Sequence, residues 1–136
     1  MGTWSVDTYG NDYALDWAQD LQETSNLEPI ESTLDYALGD GELEAPLGAE
    51  ALAAVDVLAR LQGNADGATG AHMQDIERWV AQRKQQVSPA LAGKALRAVE
   101  RILGEQSELC RLWRDSAHYE EWRAAVLALK ARVRVA

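Results

Sequence analysis

The sequence predicts an all-α protein: a compact bundle of about six to seven helices with a short irregular or extended N-terminal arm. Three observations predict it. Apolar residues recur at three- and four-residue spacing in one segment after another, the period of a buried helix face. Asn, Ser or Pro opens many of these segments, and glycine-rich punctuation closes several, as helix boundaries do. Too little of the chain reads as strand to build a sheet. The 136 residues suit one domain spanning 1–136, and an apolar fraction of 47% can build a core without disulfides or a metal.

The elements follow in order. Residues 2–21, GTWSVDTYGNDYALDWAQDL, hold two tryptophans, two tyrosines and four aspartates. The arm, 2–10, does not alternate cleanly, and Trp4 is expected to plug into the helical core. Asn11 is a good N-cap for a first helix over about 12–24, with Asp12 at the positive end of its dipole. Tyr13, Trp17 and Leu21 share one ridge, and Asp12, Asp16 and Asp20 share another. Pro29 suits the first turn of a second helix with Ile30, Leu34, Ala37 and Leu38 inward and Gly39 as C-cap. After Pro46 comes the most apolar segment, with Leu47, Ala51, Leu52, Val55, Leu58 and Ala59 on one broad face. Its many alanines favour helix and close approach, so it is expected to be the central helix.

GNADGATG, residues 63–70, reads as a mobile loop tolerant of insertion. A fourth helix is expected over 73–86, with Met73, Ile76 and Val80 inward and Trp79 beside them. Ser88-Pro89 then reads as N-cap and N1 of a fifth, which turns Leu91, Ala95, Val99 and Ile102 inward and stops near Gly104. Ser107 should cap a short sixth helix carrying Leu109, Cys110, Leu112 and Trp113. Ser116 should cap the seventh, with Trp122, Ala125, Val126, Leu129 and Val133 as its inner stripe. Lys130, Arg132 and Arg134 suit its negative dipole end.

Net charge is −9, distributed unevenly. Residues 1–59 hold 13 Asp and Glu and no Lys, Arg or His; residues 60–136 hold 9 Asp and Glu against 13 Lys and Arg. The acidic half must either pair with the C-terminal helices or present a negative surface, which would repel nucleic-acid phosphates and steer basic partners. One cysteine, Cys110, excludes an internal disulfide and suits a reducing compartment. No apolar run has the length of a membrane span, no secretory signal or myristoylation pattern is evident, and the cytoplasm is the default.

The aspartate ridge is the strongest candidate site. Carboxylates at this spacing repel by about 0.2–0.5 kcal/mol per pair. Relief would come from solvent, from internal cations such as Arg97 and Arg101 or Arg111 and Arg114, or from a basic partner. A divalent ion with Asp7 and Asn11 as further ligands is a weaker alternative. Asp16 is expected to tie back to the arm. Glu28, Glu31 and Asp35 extend the negative field, and Tyr9 and Tyr36 sit within it, either as interface rings or as core edges. Chemistry for catalysis is thin. His72 and His118 lie in no metal-ligand spacing, Cys110 reads as a buried inert thiol, and no phosphate-binding glycine pattern occurs. Arg78, Arg83 and Lys84 beside Trp79 are outweighed as a nucleic-acid site by the acidic field.

The stretch GTWSVDTYGNDYALDW resembles an uncharacterised bacterial family, the domain of unknown function numbered 4259. Gly2, Thr3 and Trp4 match its opening, with Ser5 where a glycine is usual. Asn11 and Asp12 match its asparagine–aspartate pair, and Ala14, Asp16 and Trp17 its first helix. LEAPLGAEALAAVDVLA, residues 43–59, looks like the family's Glu-Ala-Pro segment, and SELCRLW, 107–113, with Glu121-Trp122 is a weaker match. The resemblance implies a compact, mostly helical domain and no established activity. Small acidic members look like immunity proteins that neutralise toxins.

The sequence therefore points to an acidic protein-binding module, an inhibitor or immunity-type protein that occludes a cationic surface on a basic partner such as a toxin. Its binding residues would be Asp12, Asp16, Asp20, Glu28, Glu31, Asp35 and Tyr36. It is expected not to be an enzyme and to need no metal or other cofactor, nucleic acid or membrane. Two alternatives stand beside it: a small hydrolase using paired carboxylates with or without a metal, and a helical protein that forms a homodimer through its oppositely charged halves.

Overall fold

A computed structural model describes residues 5–67, 71–83 and 87–135. Trp4, the end of the glycine-rich loop at 68–70 and the far end of the expected fourth helix at 84–86 lie outside them. Among the described residues there are seven helices: α1 (Asp12–Leu21), α2 (Glu28–Ala37), α3 (Ala45–Leu61), α4 (Ala71–Ala81), α5 (Pro89–Ile102), α6 (Glu108–Arg114) and α7 (Tyr119–Arg132). The expected all-α class holds. The nearest approach to a sheet is a single bridge between Leu43 and Ser107.

α3 is the axis of the fold, and each of the other six helices packs on it. Its expected apolar face was too narrow. Every residue from Ala51 to Leu61 is buried, so neighbours surround it on all sides. Alanine at 51, 53, 54 and 59 makes this feasible, because short side chains let helix axes approach closely. α2 packs against both α3 and α5, which also touch each other, while α7 touches α3, α5 and α6.

Boundaries follow the local chemistry with some corrections. The Asn11 side chain accepts from Ala14 N at 2.9 Å, Ser88 from Leu91 N at 3.1 Å and Ser107 from Cys110 N at 3.2 Å. α3 has no such cap of its own; Glu108 of α6 reaches across and accepts from Ala45 N at 2.7 Å. Ser116 does not cap α7. Its hydroxyl donates to Trp113 O and accepts from His118 N, and α7 starts only at Tyr119. Gly39 is not the C-cap of α2, which is Leu38 at φ −94° and ψ 8°; Gly41 is the residue there with positive φ. α1 stops at Leu21, before the expected Thr24, whose hydroxyl bonds back to Leu21 O. α4 stops at Ala81, where Arg83 folds back, donates to Trp79 O and lies 4.5 Å above the Trp79 ring.

The ridge expected on α1 is also displaced. The buried residues are Ala14, Ala18 and Leu21. Trp17 sits at the margin and donates from Nε1 to Thr33 Oγ1 of α2 at 2.8 Å, and Tyr13 is 44% exposed. Two alanines against α3 allow a closer approach than a ridge of rings would. α7 follows most of its expected stripe, with Trp122, Val126, Leu129 and Val133 buried and Ala125 half-buried, and Trp122 stacks on Trp113 with centroids 6.2 Å apart. Cys110 is buried, as expected of an inert thiol.

Candidate functional site

Two regions combine chemistry with access. The first is the outer seam between α1 and α2. The Trp17–Thr33 bond joins the two helices there. Tyr13 stands one turn before Trp17, and Tyr36 stands one turn after Thr33 and is 74% exposed. Asp12, Asp16 and Asp20 are all exposed on α1, and among the described residues none forms an ion pair. Asp16 makes no bond to the described part of the arm, which is held through Tyr9 and by its own turn, Ser5 N to Gly10 O at 3.1 Å. Asp20 acts on its neighbour: Glu50 of α3 titrates above the usual carboxylate range, chiefly through burial and secondarily through the Asp20 charge.

The structure does not bring all seven sequence candidates onto one face. Glu31 and Asp35 turn toward α5, where Lys94 bridges them at 2.6 and 2.9 Å. The Lys94 ammonium is held above its usual pKa by those bonds, Asp35 first and Glu31 second. Glu28 is exposed in the first turn of α2. Arg101 and Arg111, expected as partners for the aspartate ridge, serve the acidic link instead. Arg101 donates to Ala37 O and Gly41 O, and Arg111 pairs with Glu42.

The second region was not foreseen. The arm, the C-terminal half of α3, the start of α4 and the end of α7 enclose a cleft of about 500 Å³. Its floor is a buried charge cluster centred on Asp56, which is 1% exposed. Asp56 Oδ2 accepts from the Tyr9 hydroxyl at 2.7 Å and from Arg60 Nε at 2.8 Å, while Oδ1 faces Arg132 Nη2 at 2.8 Å. Arg60, with a side chain 2% exposed, reaches Asp66 at 2.6 Å and also Glu77. Burial alone would lower the Arg60 pKa; the Asp56 bond and charge, with Glu77 and Asp66, outweigh it and hold the guanidinium charged. Burial, and then the Asp56 charge, push the Tyr9 phenol well above its ordinary value. Tyr9 is thus a core residue, not an interface ring.

The start of the glycine-rich loop is bonded to the end of α7. Asn64 and Arg132 exchange bonds at 2.9 and 2.8 Å, and Gln62 and the backbone of Arg134 do so at 2.6 and 2.9 Å. Residues 62–66 are pinned to the end of α7. At the cleft mouth the exposed His72 ring leans on Tyr9, 5.9 Å between centroids. The Asn11 oxygen serves as the α1 cap. Among the described residues no group of three or more His, Cys, Asp or Glu is placed to hold a metal.

One sequence signal pointed to the cluster. Asp56 and Arg60 stand four apart inside AAVDVLARL, the most apolar helix of the chain. Charges on a helix buried all round must pair. Arg132, Tyr9 and Asp66 carry no comparable mark.

Together these features define a small, acidic, all-helical protein built on a central helix with one buried ion cluster. The chain belongs to the family described as Domain of unknown function (DUF4259), whose model matches residues 2–125. No curated protein and no solved structure matches it. No helix among the described residues is long and apolar enough to cross a membrane.

Proposed function

We propose that this protein is an acidic protein-binding module of the inhibitor or immunity type, which covers the cationic surface of a basic partner such as a toxin. The observation that carries this reading is the α1–α2 seam, where α1 bears the half-exposed Tyr13 together with three exposed aspartates and α2 bears the exposed Tyr36. Rings offer rigid contact area with a polar tip, and the carboxylates around them supply charge complementarity. Asp12, Asp16, Asp20 and Tyr36 form the centre of the binding face and Glu28 a further part of it. Glu31 and Asp35 contribute field from its edge, reduced by Lys94. The acidic field accelerates encounter, and burial of the tyrosines sets the dissociation rate.

The hydrolase alternative has less support. Asp56 and Asp66 share the cleft, but arginines hold both, whereas a catalytic pair needs environments that drive the two acids apart. Self-association through the exposed Arg97, Arg114, Arg123 and Arg134 remains an outcome of the test.

The test is capture of partners from lysate of the source organism by the wild-type chain and by a variant with Asp12, Asp16 and Asp20 all changed to Lys. One basic protein recovered in near-equal amount, weakened by salt and lost with the folded triple variant, is the expected result. Capture of that protein unchanged by the variant would move the interface elsewhere, and salt-sensitive dimers with no second protein would favour self-association.

A further inference from the structure

The cleft beside Asp56 is distinct from the α1–α2 seam, and its chemistry is not exhausted by the internal ion cluster. Arg60 is saturated: Nε, Nη1 and Nη2 each reach a carboxylate. Arg132 is not. Its Nε donates to Asn64 O, but Nη2 is buried with no hydrogen-bond partner among the described residues. Although Nη2 lies 2.8 Å from Asp56 Oδ1, close enough for Coulomb attraction, it is angled off a hydrogen bond. Nη1 stands 3.6 Å from Asp66 Oδ2, beyond hydrogen-bond reach. The Nη1–Nη2 edge, the side of a guanidinium that takes carboxylates two bonds at a time, is therefore under-used.

The walls have a different character. Met73 of α4 and Ala125, Ala128 and Leu129 of α7 supply apolar lining, the Tyr9 and His72 rings aromatic lining, and Asp7 and Thr8 of the arm polar lining. About 500 Å³ is room for a small molecule. An apolar wall leading to a guanidinium edge matches an amphipathic acid, with a hydrocarbon body along α7 and a carboxylate at the floor. Asp66 stands close to that place now. Its carboxylate is held by Arg60 and faces Arg132, yet its side chain is 43% exposed on a surface turn. Rotation into water would vacate the space at the cost of its bond to Arg60, which keeps Asp56 and Glu77.

We propose that this cleft binds a small apolar carboxylic acid, seated against Met73, Ala125, Ala128 and Leu129 with its carboxylate on the Nη1–Nη2 edge of Arg132, and that Asp66 is the internal group it displaces. The proposal does not depend on the α1–α2 interface; either can fail alone.

The test is a titration of the isotope-labelled full chain with hexanoate, with hexanamide as neutral isostere, and with inorganic phosphate, read by amide chemical shifts. Hexanoate should shift Tyr9, His72, Ala125, Ala128 and Arg132 saturably and bind at least about tenfold more tightly than hexanamide, as expected for a charge-assisted pair. Arg132→Gln should weaken hexanoate to the hexanamide level. Asp66→Asn, which keeps the side-chain shape while weakening the pair with buried Arg60 and so lowers stability, should tighten hexanoate several-fold by removing the competing carboxylate. Equal binding of hexanamide, shifts outside the cleft, phosphate binding as tight as hexanoate, or no gain from Asp66→Asn would each overturn the proposal.

Discussion

Asp56 ties three elements of the fold together. It is buried in the central helix and faces Tyr9 of the arm, Arg60 of its own helix and Arg132 of α7. A buried ion pair is weak support for stability as a whole, but removing one partner strands the other. Asp56→Ala should cost about 3–5 kcal/mol in urea unfolding, because Arg60 stays buried with a charge its remaining partners satisfy only in part. Tyr9→Phe removes one donor from an acid that keeps both arginines, so the cost should be about 1–2 kcal/mol. The phenol also makes a pH prediction. Its folded pKa is raised, so the native state holds the proton after the unfolded chain has lost it near the ordinary value of about 10. Stability is complete below that value and falls as pH rises through it. An ultraviolet titration should show Tyr9 ionising only with unfolding, and Tyr9→Phe should flatten the alkaline loss.

At the scale of elements, caps and helix contacts separate what is local from what is borrowed. Asn11→Ala and Ser107→Ala each remove an observed cap and should cost about 1 kcal/mol in thermal or urea unfolding. Ser116→Ala should cost less, since it caps no helix. Gly48 is buried within α3 at α6, where an added Cβ would stand 3.4 Å from Leu109 Cδ2, ordinary contact. Gly48→Ala should therefore be neutral or stabilising by up to about 1 kcal/mol through helix propensity. Gly10→Ala should destabilise, because its Cβ would collide with the Ser5 side chain. α3 itself begins on a cap lent by Glu108 from 63 positions along the chain, a contact no local pattern encodes.

Across the whole molecule the two charge halves meet only in part. Lys94 bridges Glu31 and Asp35, Arg111 meets Glu42, and Arg132 joins Asp56, while the aspartates of α1 face outward. Lys94→Glu should lower the melting temperature by setting like charges together, and added salt should narrow the gap. Helix number, order and most inward stripes were legible, because amphipathic period and cap chemistry are local and agree with one another. The places that misled have a common cause. Tyr13 and Trp17 look like core by period, but two small residues beside them, Ala14 and Ala18, suit the crowded axis better. Glu31 and Asp35 look like free surface until α5 brings Lys94 alongside.

By itself, then, the chain determined its class, its seven helices, the central place of the segment after Pro46 and the acidic bias of its first half. These follow from the spacing of neighbours along one strand of backbone. Which cations neutralise which acids, which rings reach solvent, and the cleft beneath Tyr9 were decided only by tertiary structure. Coulomb and hydrogen-bond partners such as Tyr9, Asp56 and Arg132 are separated by 47 positions or more in sequence, and their energy depends on distance and burial that exist only once the helices have packed.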